Sequence, residues 1–162
     1  MRPAVPADLP TLTDIYNHYV THTPITFDVV PVSVDNRAAW LSHYADSGPH
    51  RLLVAVADEV VVGYATSGRF RDKPAYATSI ETSVYCRRGF TGRGVGTRLY
   101  AALFDALRGE DLQRAYAGVT LPNDASEALH RRFGFTELGV YHQVGRKFGR
   151  YWDVLWMEKA LS

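Results

Sequence analysis

"RRGFTGRGVGTRLY", residues 87–100, sets four glycines among four arginines directly ahead of an apolar pattern at helical spacing. A β-rich run precedes it, and Val95–Leu107 follows with Leu99, Leu103, Ala106 and Leu107 on one side and Gly109 as a stop. The segment therefore reads strand, glycine loop, helix. A Walker A loop is excluded, because Val95 and Gly96 follow Gly94 where a lysine is required. A dinucleotide fingerprint lacks its third glycine, since Thr97 stands there, and its strand is not the first in the chain. An RNA-binding reading begins correctly at Arg88-Gly89-Phe90 but then loses the aromatic positions that stack bases. What remains is the start of a helix near Gly94, whose free N–H groups and positive dipole end form an anion site with Arg88, Arg93 or Arg98 beside it. A turn that needs only a positive φ would be served by one glycine; Gly92, Gly94 and Gly96 in alternation point to main chain exposed to a ligand.

The rest of the chain fits a small soluble protein. Its 162 residues are 46% hydrophobic and 22% charged, with net charge +1 and one cysteine. Such a chain buries roughly 68% of its unfolded surface without staples. No apolar run approaches the ~20 residues that span a bilayer, and the prolines and aspartate of "MRPAVPADLPTL" interrupt any secretory apolar run. A lone Cys86 permits no internal disulfide, and a cytoplasmic location is expected. The near-neutral charge speaks against nucleic acid, including at the basic aromatic stretch "RKFGRYW".

No repeat, low-complexity tract or linker divides the chain, so one domain over residues 1–162 is expected. "PADLPTLTDIYNHYVTH" reads as a first helix capped by Asp8, with Leu9, Leu12, Ile15, Tyr16 and Tyr19 at helical spacing. "SVDNRAAWLSHYAD" reads as a second, capped by Ser33, with Ala38, Leu41 and Ala45 inward. "RLLVAVA" and "VVVGYATSGRF" form strands hinged on Asp58-Glu59, and "AYATSIETSVYC" a third. After the loop and its helix come a strand "AYAGVTL", a helix "DASEALHRRFGF" ended by Gly134, and strands "TELGVYHQVG" and "RYWDVLWMEKA". This order is neither strict βαβ alternation nor segregated α+β; a mixed sheet with helices on both faces fits it.

The runs "ETSVYCRRGFTGRGVGTRLYAAL", "NDASEALHRRFGF" and "VGRKFGRYWDVLWMEK", with "ITFDVVPVSVDNRAAW", resemble the GNAT acetyltransferases, in particular the phosphinothricin and methionine sulfoximine N-acetyltransferase branch. The resemblance implies a mixed, mostly antiparallel α/β sheet flanked by helices on both faces, acetyl-CoA as co-substrate, a small amine acceptor and a homodimer. It implies cofactor contacts at Val84, Tyr85 and Cys86, then Gly92, Arg93, Gly94, Val95, Gly96 and Thr97, with Asn123 and Ser126 toward the pantetheine arm. Thr91 departs from the Gln or Arg usual in the family, at a loop that grips mainly through main-chain N–H groups.

Acetyl transfer needs a neutral amine, a polarised thioester carbonyl and a proton for the departing thiolate. Glu81, just before the cofactor strand residues, is the candidate general base, against the plain alternative of an exposed polar-face carboxylate. His130 stands where many family members carry a proton-donating tyrosine; it reads equally as a satisfied helix residue. Asn123 reads also as a simple helix cap. Acceptor contacts are implied at Arg71, Asp72 and Lys73 and at Glu81, Thr82 and Ser83, although adjacent strand residues 82 and 83 cannot both face one ligand and "RDKP" also reads as a hairpin tip. Phe27, Phe70, Tyr76 and Trp152 are available as apolar walls or as core. Cys86 invites a covalent route, but a buried strand thiol is commoner and direct transfer in a ternary complex is expected. His18 and His22 are four apart, a spacing that can clasp zinc, but no acidic or cysteine cluster completes a site, so no metal is expected. The other reading left open is a non-catalytic acyl-CoA or nucleotide-binding sensor.

Overall fold

The structure is a computed structural model that describes residues 1–162. In chain order it runs β1 (Arg2–Pro3), α1 (Leu9–His22), α2 (Val34–Leu41), β2 (Leu52–Ala57), β3 (Val60–Arg69), β4 (Ser79–Cys86), α3 (Val95–Ala106), β5 (Arg114–Thr120), α4 (Asp124–Arg132), β6 (Thr136–Lys147) and β7 (Arg150–Ala160). The strands form one seven-stranded sheet in the order β1-β2-β3-β4-β5-β7-β6. All neighbours are antiparallel except β4 and β5.

Strand alternation divides the core between the two faces. Leu52 and Val54 of β2 pack with Leu12 and Ile15 of α1, whereas Leu53 and Ala55 pack with Leu99 and Leu103 of α3. Because helices cover both faces, β2 and β3 are nearly continuous apolar runs. Leu12, Leu99 and Leu103 are fully buried, each contributing about 1.5–3 kcal/mol of transfer free energy. Asp58 and Glu59 both take positive φ (47° and 64°), the conformation a two-residue hairpin requires. Ser33 Oγ accepts the Asn36 N–H and starts α2.

Several expectations are corrected. The second helix stops at Leu41, and Ala38 and Ala45 are exposed; the residue turned inward is Arg37. The third strand starts at Ser79, because Pro74 nucleates a 3₁₀ turn over Pro74–Tyr76. The helix after Asn123 ends at Arg132 and the next strand runs on to Lys147. Phe27 and Tyr76 are exposed, and Phe70 and Trp152 half-buried, so none belongs to the core.

Asp8 is not a side-chain cap of α1. Its carboxylate accepts two bonds from the Arg2 guanidinium, both 2.7 Å, and one from the Val5 N–H at 2.9 Å, which pins the first strand. These bonds, Arg2 foremost, hold the Asp8 carboxyl below its ordinary range. The contribution is therefore present above the unfolded pKa and is lost as pH falls through the folded one. Arg2 is open to solvent, so Asp8→Asn is expected to cost about 1–2 kcal/mol at pH 7 in urea unfolding, a difference that shrinks on acidification. Equal stability of the two proteins at pH 7 would refute this.

Candidate active site

Glu81 sits on β4 opposite Gly68 of β3 and Tyr116 of β5. Ile80, Thr82, Val84 and Cys86 turn toward α3, so Glu81, Ser83 and Tyr85 share the α1–α2 face. The Glu81 carboxyl is half-buried and has no hydrogen-bond donor holding it; burial raises its pKa, and the cation of Arg71 pulls it part of the way back. Around it stands an aromatic wall: Phe70 stacks on Tyr116 at 4.3 Å and meets Tyr76 at 5.9 Å and Trp156 at 6.4 Å. Sequence reasoning missed Tyr116 and Trp156; the period-2 alternation of "AYAGVTL" would have set Tyr116 on the face opposite Ala115 and Ala117.

Beyond Glu81 the sheet opens. The β4–β5 register covers only Ser79–Glu81 against Arg114–Tyr116, although both strands continue. The Arg87 N–H bonds Val62 O, and since bonded pairs alternate along an antiparallel ladder, Val84 and Cys86 turn their main-chain groups away from β3 toward the gap. The Tyr19 hydroxyl takes the Cys86 carbonyl at 2.7 Å. Val84 is left with both groups facing the opening.

At the end of that gap lies the glycine loop. Gly92 and Gly94 adopt φ of 72° and 74°, and a Cβ at either would meet no atom within 4 Å. Gly94 is the α3 N-cap residue, with no side chain closing it. The amides of Gly92, Arg93, Gly94, Val95 and Thr97 make no well-formed hydrogen bond to the protein backbone. They remain open for an anion. Gly96 acts through its smallness instead, because a Cβ there would stand 3.2 Å from Leu129 Cδ2, and its absence lets α4 pack on α3. Beside the loop is a cavity of about 590 Å³ whose lining includes Phe90, Val95 and Ala101, with Arg93 and Arg98.

Other candidate residues are engaged within the protein. His130 is buried, and burial lowers its pKa while the Ser126 bond partly restores it. Its Nδ1–H donates to Ser126 O at 2.7 Å, which leaves Nε2 to accept the Tyr100 hydroxyl at 2.9 Å. A neutral ring with both nitrogens partnered is the satisfied-residue arrangement. Thr82 lies on the face away from Glu81, 3.3 Å from the Tyr100 hydroxyl, and donates to Tyr116 O at 3.4 Å. Asn123 Oδ1 accepts the Ser126 N–H and caps α4. Burial pushes the Cys86 thiol up, which disfavours the thiolate that covalent catalysis would need. Arg71, Asp72 and Lys73 are exposed on the β3–β4 connection. No group of three or more His, Cys, Asp or Glu side chains is placed to hold a metal ion, and no helix is long and apolar enough to cross a membrane.

Open loop amides at a helix start, an unpaired strand edge and a carboxylate of raised pKa form an arrangement compatible with acyl transfer from a diphosphate-bearing carrier to an amine. Comparison with known proteins gives the family: residues 12–135 match the Acetyltransferase (GNAT) family, and the chain belongs to it. It is 58% identical to a phosphinothricin N-acetyltransferase of Streptomyces coelicolor, over 99% of this chain and 95% of that protein. It is 38% identical to an L-methionine sulfoximine/L-methionine sulfone acetyltransferase of Pseudomonas paraeruginosa, over 100% of this chain and 94% of that one. Among solved structures it superposes with TM-score 0.94 and 30% identity on a GNAT superfamily phosphinothricin acetyltransferase from Sinorhizobium meliloti in complex with AcCoA, covering 99% and 87% of the two chains. The chain is thus an acetyl-CoA-dependent N-acetyltransferase by family.

Proposed function

We propose that the chain moves the acetyl group of acetyl-CoA onto the α-amino group of a small amino acid or amino-acid analogue, by direct attack in a ternary complex. The observation that carries this is Glu81: a half-buried carboxyl with no donor of its own, raised in pKa, beside an unpaired strand edge that leads to open loop amides. Acetyl-CoA supplies the activated thioester. Residues 92–97 hold its diphosphate on main-chain N–H groups, with Arg93 and Arg98 adding charge, and Val84 offers its N–H and C=O to the amides of the pantetheine arm. Glu81 takes the proton of the acceptor's ammonium, since only the neutral amine attacks; as the new N–C bond forms the thioester C–S bond breaks, and CoA leaves as the thiol with the second proton that the acceptor nitrogen sheds. Arg71, with Lys73, lies on the connection above Glu81 and attracts the acceptor's carboxylate. Ser83, on the same face as Glu81, is the further acceptor contact. His130 serves by holding α4 against Tyr100 of α3.

The acceptor class rests on the relatives, which are named for phosphinothricin and for methionine sulfoximine and sulfone. We further place the protein in the cytoplasm, acting on small molecules rather than nucleic acid, as a homodimer. A second copy is supported by edge strand β6, whose Leu138, Tyr141 and Val144 are more than half exposed, together with Phe148 and Tyr151 at the β6–β7 hairpin. Incubation with acetyl-CoA, a thiol-reactive dye and a panel of amino acids tests the reading. CoA release with methionine sulfone, methionine sulfoximine or phosphinothricin is expected; acetyl-CoA binding without release for any acceptor would identify a sensor instead.

A further inference from the structure

The proposed machinery makes no use of the buried amine that ends β6. Lys147, within the basic aromatic stretch "RKFGRYW", is 4% exposed and takes part in none of the ion pairs of the chain. Its Nζ donates to Thr26 O at 2.7 Å and lies 5.2 Å from the Phe148 ring centroid. Desolvating an ammonium is costly, and the return on that cost here is a charge-assisted bond to one main-chain carbonyl in the α1–α2 connection. Two residues earlier on the same face of β6, the buried Gly145 gives a second hold on that connection. The Phe27 ring lies where a Cβ on residue 145 would stand, so only glycine leaves the seat flat.

The stretch held at these two points crosses the opening of the sheet. Near the end of α1 the Tyr19 hydroxyl donates to Cys86 O, the last residue of β4. Six residues on, Ile25 O accepts the Thr120 hydroxyl at 3.5 Å, at the last residue of β5. Since β4 and β5 are paired only over Ser79–Glu81 and part before these ends, the chain from Tyr19 to Ile25 bridges the gap, and Thr26 and Phe27 carry it on to β6. The Tyr16 hydroxyl donates to Asp28 at 2.6 Å and lies 2.8 Å from Thr26 Oγ1, which ties the same stretch back to α1. Asp28 in turn lines the cavity of about 340 Å³ shared with Ser83 and Tyr85 on the Glu81 face.

We infer that residues 23–28 form a strap over the β4–β5 opening on the Glu81 face, and that Lys147 is the positioning residue that clamps it, so that the thioester meets the acceptor amine and not water. This rests on the proposed placing of the cofactor arm in that gap. Lys147 touches no reacting atom and acts through Thr26. With the strap displaced, water attacks the acetyl carbonyl: a C–O bond forms, the thioester C–S bond breaks, and acetate, the CoA thiol and one proton are released. With the strap in place the site is dry and this leak is suppressed.

The test measures CoA release with and without methionine sulfone, and the acetylated product in parallel. The wild-type protein should release one CoA per product formed, and little without acceptor. Lys147→Met keeps the bulk of the stem and removes the ammonium, a change that buried sites tolerate, while leaving Thr26 O without its donor. Loss of a charge-assisted hydrogen bond shifts a closed–open equilibrium by about tenfold. CoA release without acceptor should rise by about that factor and exceed the product formed, with the KM for acetyl-CoA within about twofold of wild type. Gly145→Ala displaces only the Phe27 ring and should produce the same leak; in a Phe27→Ala background it should add nothing, because the ring it displaces is gone. This second series decides the matter if Lys147→Met does not fold. A ratio of CoA to product that stays at one in the folded variants, however slow their turnover, would make these residues purely structural and overturn the inference while leaving the transferase reading intact. No CoA release by the wild-type protein with any acceptor would instead reject the transferase reading, and this inference with it.

Discussion

Glu81→Gln lowers kcat by about 10²–10⁴-fold and leaves the affinity for acetyl-CoA unchanged, the size expected when a positioned general base is removed and no contact to the cofactor is touched. The geometry supports so large an effect because the carboxyl is half-buried and lacks any protein donor, so its basicity is available to the acceptor. Burial raises the Glu81 pKa, which places the acid limb of the kcat/KM profile above the ordinary carboxylate range. Activity rises with pH through that limb as the base loses its proton. Arg71 opposes the rise, so Arg71→Gln should move the limb to still higher pH and raise the acceptor KM. A glutamine variant with wild-type turnover, or an acid limb at the position of an exposed carboxylate, would remove Glu81 from the mechanism.

Gly94→Val raises the KM for acetyl-CoA by about 10–100-fold, equivalent to losing one or two main-chain hydrogen bonds to a charged diphosphate. Two effects act together there. A φ of 74° is strained for a β-branched residue, and the new side chain enters a space that no protein atom fills. Gly89→Val separates them, because Gly89 also has a positive φ (84°) with no atom near its Cβ position but lies outside the cradle. That control should lower stability and leave the KM for acetyl-CoA within about twofold; similar rises in both variants would mean that backbone strain alone, and not ligand contact, is being measured.

The glycine variants also mark where sequence reasoning reached its limit. Gly92, Gly94 and Gly96 look alike on paper, yet the first two hold an open left-handed turn while the third makes room for Leu129 from α4. Helix order, the Ser33 cap and the Asp58-Glu59 hairpin were legible because each depends on residues within a few positions of one another. Asp8 reads as a cap by local rule, but it found a stronger partner in the Arg2 guanidinium. His130 reads two ways in sequence, and its partner Tyr100, thirty residues earlier in the chain and 2.9 Å away, is visible only in the fold.

From its amino acids alone this chain declares a strand bearing a carboxylate, the glycine loop and helix that follow it, and the succession of elements, since local periodicity and turn chemistry suffice for all of these. The tertiary structure alone decided that β4 and β5 part after Glu81, that β4 shows Glu81 and Ser83 to one face while sealing Thr82 into the other, and that Arg37 is buried among Trp40, Tyr16 and Tyr64. An arginine in a short helix looks solvated until the rings that enclose it converge from three separate elements. Burial is a property of that convergence, and no single stretch of chain encodes it.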